Sequence, residues 1–161
     1  MNQGISELFR RALDHRLRKI LGSDYVSKGQ TEKRAIAPIN LWLAFEGMSL
    51  IRILGSADGA TLLADQVMPE PSDMDEAGEI VIRDVSKKFA FHDALNKNLQ
   101  AVSIIAEAGL RSTVEEQVVV GVRFDFGLNI RPIVLNWGDE LYIGSRFPPD
   151  GDEAMFSEIP V

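Results

Sequence analysis

The carboxyl-terminal third of the chain alternates with a period of two, and this pattern restricts the fold more than any other feature. Between positions 118 and 126 every second residue is apolar, and charged residues lie between the last of them: Val118, Val120, Val122, Phe124 and Phe126, with Arg123 and Asp125 interposed. Side chains along a strand point alternately to opposite faces of the sheet. The pattern therefore predicts a strand with one buried face.

Turn signals divide the middle of the chain into further strands. Residues 40–67 are typical of a three-stranded meander over 40–46, 49–54 and 61–67, with turns at Gly47-Met48 and Asp58-Gly59. Asp-Gly favours a type I′ hairpin turn, because that turn needs positive φ angles. Later strands are predicted at 79–85, 101–106, 130–137 and 140–144.

Two of these later segments leave alternatives open. Residues 101–106 could extend a short helix predicted over 89–99, but their β-branched residues favour a strand. Pro132 lies inside segment 130–137 and has no backbone N–H. That segment is therefore expected to be an edge strand or to begin after the proline.

The amino-terminal residues 5–21 show helical spacing. Apolar residues recur there at intervals of three and four, which predicts an amphipathic helix. Gly22 follows at the position of a helix C-cap, and Arg18 and Lys19 lie in the last predicted turn, where the helix dipole favours cations.

Taken together, these elements predict a single α+β domain. Its amphipathic helix would pack on an antiparallel sheet of six to eight strands, which is a reasonable content for 161 residues. The predicted organisation is a helix over 1–22, a connector over 23–38, a sheet-rich body over 39–146 and an acidic tail over 147–161. The tail is expected to be a loose extension, which Met155, Phe156 and Ile159 could anchor.

Charge is distributed unevenly along the chain. Residues 1–34 carry a net charge of about +4 and residues 35–161 about −11, which gives the overall −7. An acidic body repels phosphates, so nucleic acid is an unlikely partner except through the basic amino-terminal segment. The same body favours a basic macromolecule as partner.

The residues that commonly carry catalysis are scarce. The chain has no cysteine, which excludes disulfides, thiolate metal sites and thiol nucleophiles. His15 and His92 are interpreted as surface residues, and no Gly-x-Ser-x-Gly turn is present to accompany a His92-Asp93 pair. The acidic runs 73–76 and 150–153 lack the spacing of a calcium loop. We therefore predict no enzyme activity, no metal and no cofactor, with a small carboxylate-based enzyme as an alternative.

The stretch 118–144 resembles the closing strands of small acidic bacterial immunity proteins from contact-dependent growth inhibition and other polymorphic toxin systems. The resemblance rests on a strand that ends in an Asn-x-Gly-Asp-Glu turn, here residues 136–140, and leads into Leu141-Tyr142-Ile143. It implies a non-enzymatic protein that binds and neutralises a cognate toxin domain. No binding residues carry over from it, because these families share no common site.

Many delivered toxins are nucleases, which must present cations to phosphate, so an acidic inhibitor suits them. Two acidic groups are candidates for such a surface, and Trp137 and Tyr142 are candidate aromatic anchors beside the second. The first group is Asp73, Asp75, Glu76 and Glu79, and the second is Asp139, Glu140, Asp150, Asp152 and Glu153. Trp42 and Trp137 are otherwise expected to be half-buried sheet residues.

Other partners follow from the remaining patterns. A structural or regulatory homodimer, joined through the Pro132 strand or the basic helix, is the alternative to toxin binding. No segment is typical of a secretory signal or a membrane span, so a cytoplasmic protein without a membrane partner is expected.

Overall fold

The fold consists of two antiparallel β-sheets and one short helix. The computed structural model describes residues 3–27, 38–107 and 118–161, and the element bounds below refer to these residues. In chain order the elements are α1 (Gln3–Ala12), β1 (Leu17–Val26), β2 (Asn40–Phe45), β3 (Ile51–Gly55), β4 (Leu62–Asp65), β5 (Ser72–Asp73), β6 (Glu79–Asp84), β7 (Ala101–Glu107), β8 (Val118–Asp125), β9 (Ile133–Trp137), β10 (Glu140–Gly144) and β11 (Phe156–Pro160).

The two sheets pack face to face around a shared core. The first has the strand order β4-β3-β2-β1-β6-β5 and the second β10-β9-β8-β7-β11. Both inner faces contribute to one set of buried apolar residues, and α1 adds Phe9, whose ring meets Phe124 edge-on at 5.1 Å between centroids. The predicted α+β class with antiparallel strands is confirmed in this coarse form. The predicted single sheet of six to eight strands is wrong. The described residues form eleven strands in sheets of six and five, because the helix is too short to cover one sheet and a second sheet does so instead.

The predicted helix 5–21 is shorter than its spacing indicates. Helix α1 ends at Ala12, and Asp14 has a left-handed φ of 66°, which turns the chain toward β1. A helix cannot continue through a left-handed residue without loss of its hydrogen bonds. Gly22 is therefore no C-cap, but lies inside β1, where an added Cβ would meet Pro38 at 3.2 Å.

A β-bulge explains why the start of β1 imitates helical spacing. Leu17 pairs with Phe45, whereas Lys19 already pairs with the adjacent Ala44, so one extra residue lies in β1. The bulge brings Leu17 and Ile20 to the same core face although they are three positions apart. The interval that predicts a helix is produced here by an irregular strand.

A second bulge divides the apolar residues of β8 between two faces. Ile105 pairs with Gly121 and Ala106 with Val119, which leaves Val120 as the extra residue. Val120 packs on the outer face of the second sheet, whereas Val118 is 40% exposed. The prediction that residues 118–126 share one face is therefore wrong at its first two apolar positions.

Each sheet has a connection that runs from one edge to the other across its outer face. Residues 66–71 join the edge strands β4 and β5, and the Trp42 indole N–H donates to the Val67 carbonyl at 2.8 Å. Residues 145–155 join β10 to β11, and Phe147 stacks on Phe156 at 5.0 Å. These connections cover apolar residues that a two-layer fold would otherwise leave exposed.

The tail and the connector also differ from prediction. Strand β11 pairs with β7 along its whole length, so residues 156–160 of the predicted tail are part of the second sheet, and the tail is not a loose extension. Residues 23–26 of the predicted connector belong to β1, and 28–37 lie outside the described residues. Strand β9 begins after Pro132, as one alternative predicted, but it lies between β8 and β10 and is not an edge.

The remaining local predictions agree more closely with the structure. The strands predicted at 40–46, 79–85, 101–106 and 140–144 are confirmed as β2, β6, β7 and β10. The helix predicted over 89–99 is a 3-10 helix limited to Phe89–Ala94. Within the described residues, no helix has both the length and the apolar character that a bilayer crossing requires.

Replacement of Gly121 by alanine tests the second bulge. An added Cβ would lie 2.6 Å from the Val134 carbonyl oxygen and would overlap the Leu135 side chain. We expect the free energy of unfolding to fall by about 2 kcal/mol, because the backbone of β9 cannot yield. Urea unfolding measures it, with Gly4→Ala as control, since no atom outside its own helix lies within 4 Å of that Cβ. Equal stability of the two variants would contradict the register.

Candidate partner-binding surface

Three turns lie at the same end of the two-sheet structure. The β3–β4 and β9–β10 turns are in contact, because the Asn136 side chain donates to the Thr61 carbonyl at 3.0 Å and Gly59 lies against the Asp139 carboxylate. The β5–β6 turn lies at the same end of the first sheet, since Asn40 pairs with Ser23 and Leu54 and Val26 pairs with Glu79, with strands β1 and β2 between it and the β3–β4 turn. We call residues 57–60, 74–79 and 138–140 the acidic end.

The β9–β10 turn is a two-residue hairpin. Gly138 and Asp139 have φ angles of 60° and 67°, and Trp137 pairs directly with Glu140. Two successive left-handed residues define a type I′ turn, which suits the twist of the flanking strands. The turn therefore presents Asp139 and Glu140 to solvent at its tip.

The β3–β4 turn is not the type I′ turn that its Asp58-Gly59 pair predicts. Only Gly59 has a positive φ, 76°, so the turn is a longer loop and not type I′. The Asp58 carboxylate accepts hydrogen bonds from the backbone of Ala60 and Thr61 and from the Thr61 hydroxyl, at 2.5 to 2.9 Å. The Thr61 hydroxyl and these backbone N–H groups lower the pKa of Asp58, which keeps it charged.

All nine carboxylates predicted from the sequence are exposed. The structure brings most of them to one region. The first group lies on the β5–β6 turn and the strand residues that flank it, and Asp139 and Glu140 join it from the second sheet. Asp150, Asp152 and Glu153 lie on the outer-face connection, where Gly151 packs near the Trp137 ring. Six of the nine carboxylates thus lie at the same end of the two sheets.

None of these nine carboxylates forms an ion pair within the described part of the chain. Carboxylates elsewhere do pair with cations, as in the contacts Arg18–Glu46, Lys19–Asp84, Arg83–Asp24, Arg123–Glu158 and Arg131–Asp125. Paired charges cancel much of each other's field, whereas unpaired charges of one sign add. Six carboxylates of the acidic end have no ion-pair partner in the described ranges, so their fields add.

A groove with an apolar floor opens beside the first acidic group. Its volume is about 540 Å³; Asp73 and Glu79 stand at its border, and the other lining residues are Pro69, Pro71, Ser72, Ile80, Val81 and Ile82. Exposed apolar side chains also lie on the neighbouring strand and turn, Tyr25 at 46% and Met74 at 39% exposure. An apolar centre with a charged rim is the composition of many protein interfaces.

A smaller groove of about 240 Å³ lies at the predicted anchors of the second group. Its walls include Trp137 and Tyr142, with Phe89 and Glu140 beside them. Trp137 is half-buried and its ring lies 6.1 Å from that of Phe156. The Tyr142 hydroxyl donates to the Arg146 carbonyl at 2.8 Å, so both anchors are held in place by their own sheet.

Trp42 differs from the expectation of a half-buried residue. It is only 2% exposed, on the outer face of the first sheet under residues 66–71. A tryptophan covered by its own chain is unavailable to a partner. Trp42 is therefore excluded as a contact with a partner protein, and Trp137 remains a candidate.

The histidines lie away from the acidic end. His15 contacts the Glu46 carbonyl through Nδ1 at 2.8 Å, and His92 is exposed with Nδ1 3.2 Å from its neighbour Asp93. Across residues 3–27, 38–107 and 118–161, no three His, Asp or Glu side chains come close enough together to hold a metal ion.

Sequence reasoning missed the apolar part of the surface. Tyr25 fell in the predicted connector, and its hydroxyl donates to the Ala77 carbonyl of the acidic turn. Ile80 and Ile82 belong to a recognised strand, and the unbroken apolar run that they form with Val81 was the available signal. Assigning them to an open face required knowledge of which strand lies beside β6.

An ion pair on the outer face of the first sheet makes a pH test possible. Arg52 binds Asp65 through two hydrogen bonds of 2.8 and 2.5 Å, and this contact lowers the pKa of Asp65. Its stabilisation is complete above the pKa of the unfolded chain, near pH 4, and is lost as pH falls through the lower folded pKa.

We expect Asp65→Asn to destabilise the protein at pH 6 and to approach the wild type in stability near pH 3. Chemical unfolding of both proteins across this pH range measures the difference. Asp93→Asn is the control, since its carboxylate contacts only the exposed His92. A stability difference between Asp65→Asn and the wild type that stays constant with pH would contradict the role of this pair.

Comparison of the chain with protein-family models, with curated proteins and with solved structures finds no match.

Proposed function

We propose that this chain is a non-enzymatic binding protein of the immunity type, which neutralises a toxin domain with a basic surface. The observation that carries the proposal is the set of exposed carboxylates without a described ion-pair partner at this end of the fold, two of which, Asp73 and Glu79, border an apolar groove. Hydrogen bonds within its turn fix the Asp58 carboxylate, and Asp139 lies on a two-residue hairpin, so both are positioned before a partner binds. A nuclease is the first candidate partner, because its substrate-binding cleft must be positive.

Charge and apolar contact contribute to toxin binding in different ways. The field of the acidic end speeds encounter with a cationic partner and selects its orientation. Individual exposed ion pairs contribute little, typically below about 1 kcal/mol, so charge alone gives no tight complex. Burial of apolar side chains in the groove beside Ile80 and Ile82 supplies the lasting affinity.

The cytoplasm is the proposed site of action. An immunity protein must meet its toxin in the compartment where the toxin would act. The absence of cysteine agrees with a reducing compartment, since no disulfide is needed for the core.

Of the two routes that the sequence indicated for the homodimer alternative, the basic side of α1 stays exposed at Arg10 and Arg11. The strand after Pro132 is interior to the second sheet, and α1 places Ile5, Phe9 and Ala12 in the core of its own chain. Neither the proline-marked strand nor the apolar helix face is available to another copy.

Reversal of one charge in the first acidic group tests the proposal. The ligand is the toxin domain encoded beside the gene for this chain, titrated by calorimetry at low and at high salt. We expect Glu76→Lys to weaken binding roughly tenfold at low salt, and salt to reduce the difference because exposed charges are screened. Glu153→Lys, assayed in parallel, shows whether the second group also contributes.

The matched control is Asp93→Lys, which changes the net charge by the same amount on a residue whose side chain is 78% exposed. It should bind like the wild type. If Asp93→Lys weakened binding as much as Glu76→Lys, the effect would come from net charge and not from the acidic end. If the affinity did not depend on salt, the electrostatic mechanism would be excluded. Protection of cells that express the toxin should follow the measured affinities.

A further inference from the structure

The short edge strand of the first sheet leaves most of β6 uncovered. Strand β5 pairs with β6 only at Ser72–Ile80 and Asp73–Glu79, whereas β1 pairs with all six residues of β6. Residues 66–71 leave this edge to cross the outer face of the sheet, so no described strand pairs with residues 81–84 on the side away from β1. This part of β6 is an open sheet edge in the described structure.

The hydrogen bonds of β6 to β1 determine which of its backbone groups point outward. The Val85 N–H donates to the Ile20 carbonyl at 2.9 Å, in the same register as the strand pairing. Hydrogen-bonded positions alternate along an antiparallel pair, so the N–H and C=O groups of Ile82 and Asp84 point away from β1. These four groups have no backbone partner among the described residues.

The other sheet edges are better protected. Strand β4 packs against α1, β10 packs against the 3-10 helix Phe89–Ala94, and β11 carries Pro160, which lacks an N–H. Covering and proline are common protections of sheet edges. On β6, by contrast, Ile82 is partly exposed and Asp84 is exposed. Strands β1 and β5 are the only described helices or strands that pack extensively against it.

The surface beside this open edge is apolar, with negative charge at its border. The groove of about 540 Å³ adjoins the edge, and residues 80–82 belong to its lining together with Asp73 and Glu79. Neither carboxylate has an ion-pair partner in the described ranges, whereas Arg83, the one basic residue of β6, is paired with Asp24 at 3.6 Å. A segment that approaches this edge therefore meets apolar surface and negative charge that is not neutralised.

We propose that the toxin domain adds an extended segment to the open edge of β6, an inference that rests on the toxin binding proposed above. The outward N–H and C=O groups of Ile82 and Asp84 pair with the backbone of that segment. Its alternate side chains enter the groove, where apolar residues are buried, and its cationic residues lie beside Asp73 and Glu79. Backbone pairing contributes affinity, and the groove and the carboxylates select the sequence of the segment.

A second copy of this chain fits the edge less well. If two β6 strands paired antiparallel through these groups, Ile82 of each copy would lie opposite Asp84 of the other, and the two Arg83 residues would face each other. Like charges directly opposite destabilise a strand pair. Each copy would also bring the same acidic surface to the contact. An extended segment with cationic residues from another protein avoids both repulsions.

Amide hydrogen exchange followed by NMR tests the pairing at single residues. In the free protein the amides of Ile82 and Asp84 should exchange rapidly, and saturation with the toxin domain should slow both by roughly tenfold or more. The amides of Val81 and Arg83 face β1, so they should exchange slowly in both states and serve as internal controls. Nuclear Overhauser effects between the Ile82 amide proton and backbone protons of the toxin should accompany the protection.

The outcomes of this experiment separate strand addition from toxin binding. If the complex forms while the amides of Ile82 and Asp84 keep the rates of the free protein, strand addition is overturned and toxin binding stands. If no complex forms, both proposals are overturned. Protection that rises with the concentration of this protein alone would assign the edge to a second copy and overturn the toxin segment as its occupant.

Replacement of Ile82 by proline tests the same contact through affinity. Ile82→Pro removes an outward N–H that β1 does not use, so toxin binding should weaken roughly tenfold while circular dichroism shows an intact fold. Ile82→Val keeps the N–H and a branched apolar side chain, and should bind within about twofold of the wild type. A folded proline variant with wild-type affinity would contradict strand addition. If the proline variant unfolds, exchange in the wild type decides the outcome.

Discussion

The packing of the two sheets against each other is the interaction on which the rest of the structure depends. The inner faces bury large apolar side chains, and Phe124 contacts both Phe9 and Phe91 where the helix and the 3-10 helix close the core. Each fully buried Leu, Ile or Phe stabilises the fold by about 1.5 to 3 kcal/mol. Unpaired carboxylates cannot share this interior, because burial of a charge without a partner costs far more. They are confined to turns and connections at the surface.

The position of the acidic end follows from strand connectivity. Antiparallel hairpins place alternate turns at one end of a sheet, and the contact between Asn136 and Thr61 aligns that end in both sheets. Turns that are far apart in sequence therefore contribute charge to one surface. The basic residues Arg10, Arg11 and Arg16 lie in and just after α1, away from these turns. The basic and acidic segments of the sequence therefore occupy different parts of the folded protein.

The sequence was sufficient for local structure where alternation was regular and turns were marked. Strands β2 and β10 matched prediction, since each combines a clean period of two with a glycine turn. The predictions of which residues face the core were wrong at the bulges near Arg18 and Val120, because one extra residue changes the side chains that point inward. A bulge depends on the partner strand, so its position is not encoded in the periodicity of one segment.

The candidate site was predictable in its residues but not in its assembly. Acidic residues among prolines and glycines are expected to be exposed, and Asp73 and Glu153 are. Their relation to Ile80 and Tyr25 depends on β6 lying next to β1, which is a long-range pairing that local patterns cannot specify.

We propose that the acidic end contacts a cationic protein. Zero-length cross-linking of carboxylates to amines in the complex with the toxin domain, followed by mass spectrometry, tests it most directly. We expect links from residues 73–79 and 139–140 to lysines of the toxin. Links confined to carboxylates near α1 and the His92 region, with none from the acidic end, would contradict it.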